Sequence, residues 1–192
     1  MFGRHRVLAA LASLAMLLVV AAAPASARSI PRLPTGAADW ATFSAAEKQA
    51  AINYELSLFD PRTAVISHVG GAGAASATPT GQMSPLTVTW TASCGFNLSN
   101  AIAGTYVQSD ALADANQQVA AIYVHSEFYR DGSFLAGPND DETNRSHAEA
   151  WSGWNFSYTW EHPTYRVKSW HNIKVGSTWQ TQRFCDFSWT KP

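Results

Sequence analysis

Charge is scarce in this chain. Asp, Glu, Lys and Arg make up 14% of its 192 residues, and the formal net charge is −1. A near-neutral chain has no electrostatic footprint for a phosphate backbone, so nucleic acid is not an expected partner. Cysteine is scarcer still, with Cys94 and Cys185 alone. Neither follows an apolar N-terminal run closely, which argues against a bacterial lipid anchor. Past residue 23 no apolar run is long enough to cross a bilayer. Gly-x-Ser-x-Gly, the nucleophile elbow of many serine hydrolases, does not occur. The string Gly70-Gly71-Ala72-Gly73 precedes no helix and lacks the lysine and hydroxyl of a phosphate-binding loop. Ser188 to Pro192 reads as free of a sorting signal or tail anchor.

What is present begins with a targeting pattern. Arg4, His5 and Arg6 precede an apolar run from Val7 to Ala23, Pro24 breaks it, and Ala25-Ser26-Ala27 supplies small residues at −3 and −1. This is the grammar of a secretory signal peptide cleaved after Ala27, over residues 1–27. Removal of the first 27 of 192 residues leaves 165 and takes the formal charge from −1 to about −3 through loss of Arg4 and Arg6. That length suits one domain with a real core, outside the cell and without a stable membrane anchor. In such a protein two cysteines are expected to pair. A Cys94–Cys185 bridge closes a loop of about 90 residues, worth about 4.6 kcal/mol on the chain-entropy account. Two free buried thiols are the alternative.

Arg28 to Ala38, with Pro31, Pro34 and Gly36, reads as an irregular lead-in. Ser44-Ala45-Ala46-Glu47 is a capping box, and Ala45, Ile52, Leu56 and Phe59 follow at helical spacing up to Asp60-Pro61. The spacing predicts an amphipathic helix over 44–59 that docks on the domain's own sheet. Ala64 to His68 suits a short strand, and Gly70 to Gly81 an uncharged linker. Residues 28–84 thus form an N-terminal segment and residues 85–192 a β domain.

From Leu86 the period becomes two. Leu86, Val88, Trp90 and Ala92 alternate with threonines, then Cys94 follows. Gly104 to Ser109 suggests a short strand and Val119 to Arg130 a long one. Its inner face is Ala120, Ile122, Val124 and Phe128; its outer face is Tyr123, His125, Glu127 and Tyr129. Asp131-Gly132 marks a two-residue hairpin turn. Gly137 to His147, rich in acid, reads as an exposed loop.

Six of the eight tryptophans lie between Trp151 and Trp189. Trp154, Phe156, Tyr158 and Trp160 alternate with polar residues. Tyr165, Val167, Ser169, His171, Ile173 and Val175 form one face of the next strand, and Arg166, Lys168, Trp170 and Lys174 the other. After Gly176-Ser177 a last strand carries Trp179, Thr181, Arg183, Cys185, Phe187 and Trp189 on one face. Trp160, Trp179 and Trp189 are expected in the core, and Trp170 on a basic face. The fold expected is mainly β: an antiparallel β-sandwich with one N-terminal amphipathic helix. An immunoglobulin arrangement fits poorly, because no tryptophan follows Cys94 at the right distance and no tyrosine precedes Cys185 by two.

The arrangement Tyr129-Arg130-Asp131-Gly132, then Tyr165-Arg166-Val167 and a closing Trp/Cys strand, resembles that of small secreted bacterial proteins of uncharacterised function. The resemblance covers the second half of the chain and implies a sandwich but no activity and no site.

Candidate chemistry is thin. His125 and Glu127 share a strand face, and His171 could join them for acid–base work or zinc, but no second ligand pair has zinc-like spacing. Asp140, Asp141 and Glu142, with Asn139 and Asn144, offer oxygens without the pattern of a calcium hand. Glu149 and Glu161 form a glycosidase pair only if about 5–9.5 Å apart. No cofactor, metal or catalytic residue is therefore expected. The expectation is a secreted, non-catalytic binding or surface protein. Its binding surface lies near Trp170, Arg166 and Lys168, or near Tyr123, His125, Glu127 and Tyr129. Its target is a cell-wall glycan or another protein. The alternatives are a secreted hydrolase and an inhibitor or antagonist that presents the 137–147 loop.

Overall fold

One strand organises the sheet. In the computed structural model, which describes residues 29–71 and 87–192, β3 runs unbroken from Gly104 to Arg130. Its first half pairs antiparallel with β2 (Trp90–Ala101) on one side. On the other side it takes β6 (Asn155–Tyr158) and the end of β5 (Asn139–Trp151). Its second half pairs with β7 (Thr164–Val175) on one side, and with β4 (Ser133–Ala136) and the start of β5 on the other. Between the halves the β3–β5 register shifts, between Asp114 and Val119. Such an irregularity raises local twist and bends both strands. One sheet thereby folds over into two facing layers. β1 (Ile66–Gly71) extends the first layer beyond β2; β8 (Thr178–Trp179) and β9 (Arg183–Thr190) extend the second beyond β7. The architecture is mainly antiparallel β and sandwich-like.

The core lies between the layers. Phe96 of β2 meets Phe128, Tyr165, Phe187 and Trp189 with ring centroids 5.8–6.4 Å apart. Val107, Ala111, Ile122, Val124, Val167 and Ile173 complete it. The Cys94–Cys185 disulfide joins β2 to β9 across this core, with Cα atoms 6.0 Å apart. The alternation expected on β7 is observed: Tyr165, Val167, Ser169, His171 and Ile173 are buried and the intervening residues are not. Asp131 and Gly132 both have positive φ, 48° and 78°, as the tight turn between β3 and β4 requires.

A second cluster covers the outward side of the first layer. A short helix, α1 (Ala37–Trp40), ends the proline-rich lead-in and buries Trp40, whose indole Nε1 donates to Glu161 Oε1 at 3.0 Å. Helix α2 (Ala45–Leu58) starts at the expected capping box, with Ser44 N donating to Glu47 Oε2 at 2.8 Å and Glu47 N to Ser44 Oγ at 3.3 Å. Ile52, Leu56 and Phe59 pack on Tyr106, Phe156 and Tyr158; Phe59 stacks on Tyr106 at 3.8 Å. Ala45 is exposed, however, and Ala51 is the helix residue fully enclosed. A methyl side chain at the contact lets the helix axis approach the aromatic layer closely. Helix and strands belong to one unit, Pro31–Pro192.

Four local expectations are corrected. Residues 139–147 are strand, not loop: this part of β5 is polar on both faces, and its order comes from backbone pairing with β3 rather than from an apolar stripe. The two strands expected over 104–109 and 119–130 are one. Gly70 and Gly71 belong to β1 rather than to a linker. Trp179 is 54% exposed instead of in the core. Residues 180–182 are irregular, so the alternation restarts at Arg183, and Trp179 pairs with the outward Lys174. Trp160 and Trp189 are half-buried, the first stacked on Tyr158 and the second against the core. The proposed signal peptide, Leu86 and most of the Gly70–Gly81 segment lie outside the described residues.

Candidate functional site

Strict alternation on β3 and β7 sends one set of side chains into the core and the other out. The outward set meets across the strands: Tyr123 opposite Asn172, His125 opposite Trp170, Glu127 opposite Lys168, and Tyr129 opposite Arg166. Phe184, Asp186 and Ser188 of β9 continue the rows beyond Trp170, Lys168 and Arg166. Asn139 and Asp141 of β5 continue them on the other side, beyond His125 and Tyr123. The two surfaces expected separately, one around Trp170 and one around Tyr123 and Tyr129, are neighbouring rows of one face.

Aromatic rings and paired charges alternate along it. His125, Trp170 and Phe184 form a row with successive centroids 5.3 Å apart. Glu127 Oε2 accepts from Tyr129 OH at 2.6 Å, which holds that phenol above its usual pKa range. Glu127 Oε1 stands 4.0 Å from His125 Nε2, and His125 Nδ1 is 2.5 Å from Asn139 Oδ1. Arg166 grips Asp186 with two nitrogens, Nε at 2.7 Å, and holds that carboxyl below its usual range. Lys168 lies over the Tyr129 ring at 5.2 Å and Lys174 over Trp179 at 5.9 Å. Arg166, Lys168 and Lys174 share the face with Glu127, Asp141 and Asp186, so it is polar without a dominant sign.

Two open grooves flank the aromatic row. One, of about 420 Å³, is lined by Tyr123, Asp141, Asn172 and Trp179. The other, of about 370 Å³, is lined by Tyr129, Gly132, Thr164, Arg166, Lys168 and Ser188. An exposed indole beside an amide, a phenol and a carboxylate offers a stacking platform with hydrogen-bond donors and acceptors at its rim. Phe184 and Asn172 did not stand out in the sequence, Trp179 was expected in the core, and Asp141 drew notice only as one of a run of acidic residues. Phe184 is detectable there by parity, one residue from the inward Cys185.

The groups considered for catalysis do not converge. His171 lies on the inward face of β7, fully buried, with Nε2 2.7 Å from Ser169 Oγ, while His125 and Glu127 point outward. Glu161 is engaged by Arg130, Trp40 and the backbone N of Tyr158. Glu149 sits in a different network, beside His147. Asp140 and Asp141 alternate sides of β5, and Asp140 Oδ2 accepts from the backbone N of Glu149 at 2.8 Å. Among the described residues no three His, Cys, Asp or Glu side chains are grouped to hold a metal ion. No described helix is long and apolar enough to cross a membrane.

No protein-family model matches the chain, and no curated protein matches it. Among solved structures, the crystal structure of a protein from Archaeoglobus fulgidus aligns over 56% of this chain and 97% of that one, at 12% identity and a TM-score of 0.25. A likeness of that order carries no argument.

Proposed function

We propose that this protein is a non-catalytic binding protein of the extracellular space, and that the outward face of its second layer binds a glycan chain. The observation that carries the reading is the row of rings on that face. Trp179, Tyr123, Trp170, Phe184 and Tyr129 succeed one another across paired strands, with amide, carboxylate and ammonium groups between them. Sugar rings present apolar faces and hydroxyl edges, and this alternation is complementary to both. The disulfide supports an oxidising compartment. The absence of one dominant charge favours a neutral polymer over a polyanion.

A protein target is the second reading. Phe134 is exposed beside Tyr129, with exposed Leu135 next to it in β4, and apolar side chains at the margin of a polar face also suit a protein interface. The inhibitor reading loses support, since the segment expected as a presented loop is strand β5.

Retention on insoluble peptidoglycan, chitin and cellulose tests the glycan reading. The expected result is retention on at least one, weakened about fivefold by Trp179→Ala or Trp170→Ala, since one aromatic contact is worth about 1 kcal/mol. A mature protein that stays in the supernatant with all three overturns it.

A further inference from the structure

On the aromatic face, the polar side chains not spent on one another lie in the two grooves. Tyr129 is engaged with Glu127, His125 with Asn139, and Arg166 with Asp186. Among the described residues, by contrast, nothing hydrogen-bonds to the Asp141 carboxylate, the Asn172 side-chain amide or the Ser188 hydroxyl. Lys168 makes no hydrogen bond or ion pair there and lies only over the Tyr129 ring. Asp141 and Asn172 belong to one groove, Lys168 and Ser188 to the other. The row between the grooves, His125, Trp170 and Phe184, offers rings instead.

Strand register gives this pattern a direction. Asp141, Tyr123 and Asn172 lie opposite one another on β5, β3 and β7. Tyr129, Arg166 and Ser188 do so on β3, β7 and β9. Along β3 the two rows are separated by the step from Tyr123 to Tyr129, about 20 Å at the rise of a strand. A ligand that meets both grooves therefore runs parallel to β3 and β7 and crosses the Trp170 row. One laid along His125, Trp170 and Phe184 would run across the strands and reach the free polar groups of neither groove. Asp141 and Asn172 stand one strand to either side of Tyr123, about 10 Å apart at their Cα atoms. A sugar ring seated on the Tyr123 phenol, with its chain axis along β3, turns one hydroxyl-bearing edge to Asp141 and the other to Asn172. The exposed Trp179 indole borders the same groove. The distance between the grooves is longer than a disaccharide, so a chain of several sugars is needed to fill both. Neither groove is a closed pocket, so such a chain need not end in either.

We propose that this face binds the interior of an extended, uncharged glycan chain lying parallel to β3 and β7. One sugar sits at Tyr123 and Trp179, one over Trp170, and one at Tyr129 beside Lys168 and Ser188. The ligand is a long chain, not a free sugar or a chain end. This path rests on glycan binding by the face, but it can fail while that binding stands.

The test titrates β-1,4-linked oligomers of N-acetylglucosamine and of glucose, each as disaccharide and hexasaccharide, into the full mature chain with its disulfide intact. Calorimetry gives the affinities. NMR follows the Trp170 and Trp179 indole N–H signals and the backbone amides of Asn172, Gly132 and Ser188. The hexasaccharide of the recognised sugar is expected to bind about tenfold or more tighter than its disaccharide, since each added aromatic contact contributes about fivefold. It should move signals in both grooves at once. Borohydride reduction of its reducing end should leave the affinity unchanged. Asn172→Ala in one groove and Lys168→Met in the other should each weaken the hexasaccharide severalfold, and both side chains point outward from the core. Equal affinity for disaccharide and hexasaccharide overturns the path and leaves glycan binding in place. So do shifts confined to one groove or to the Trp170 row, loss of binding on end reduction, or full hexasaccharide affinity in either variant. Silence from every oligomer also overturns the path, and with no retention on the insoluble polymers it overturns glycan binding as well.

Discussion

His171 makes folding stability depend on pH in a way that can be measured. Its imidazole is fully buried between the layers, Nε2 near Ser169 Oγ and Nδ1 without a partner. Burial, aided by Arg183 across the ladder, lowers its pKa from 6.5 to about 4. In the unfolded chain the ring takes a proton near its ordinary value; in the folded protein it resists until about 4. Acid therefore favours the unfolded chain, and stability is lost as pH falls from above 6.5. The loss attributable to this ring is about 2 kcal/mol at about pH 5 and about 3 kcal/mol at about pH 4. Asp110, raised to about 6, has the opposite slope, because its folded form gains a proton first. The two partly cancel in the native protein, so the His171 contribution must be read as a difference. Urea unfolding of the native protein and of His171→Leu, followed by tryptophan fluorescence between about pH 7.5 and 4, provides it. The variant is expected to gain on the native protein by about 3 kcal/mol across that range, most of it below pH 6.5. A gap that stays constant with pH would refute the reasoning, since it would mean that the folded ring titrates like a free one.

Three further outcomes are expected. Replacing Cys94 and Cys185 together by serine should cost about 4–5 kcal/mol, because the bridge closes a long loop; the urea midpoint measures it, and an unchanged midpoint contradicts it. Lys191, buried beside the C-terminus, donates to the carbonyls of Ser157, Tyr158 and Glu161. Lys191→Met keeps the stem but strips those acceptors, so a loss of about 2 kcal/mol in thermal unfolding follows; a variant as stable as the native protein counts against it. Gly104→Ala would drive a Cβ to 2.1 Å from Ser157 O and 2.6 Å from the Phe156 ring. About 2 kcal/mol or more should be lost, with the damage seen first as altered near-ultraviolet dichroism of the aromatic cluster under α2.

Legibility in the sequence followed the source of order in each element. β7 was legible because Val167 and Ile173 alternate with Arg166, Lys168 and Lys174, so one period-two pattern encodes both faces. The Asp131-Gly132 turn and the Ser44–Glu47 cap were legible because each rests on local chemistry. β5 was not, since Asp140, Asp141 and Glu142 give no apolar contrast and only the partner strand defines it. The join of the two halves of β3 was hidden for the same reason: Ala111 to Gln118 has weak strand preference, and pairing with β2 and β5 carries it. The outward positions of β3 and β7 could be read by parity, but their meeting in one face depends on register. Trp179 was misjudged because three irregular residues reset the alternation before Arg183. The juxtaposition of Tyr123 with Asn172 joins two strands distant in the chain, and no spacing rule reaches that far.

The length of β3 has a consequence for how the molecule opens. Both layers draw their central hydrogen bonds from the same strand, so neither layer possesses a backbone that can remain folded while the other melts. Amide exchange at Val107 on one half and at Val124 on the other should therefore report a shared opening event, slow in both places and lost together. Outlying pieces such as β8 and the β4 hairpin, each held by a single neighbour, should exchange far sooner.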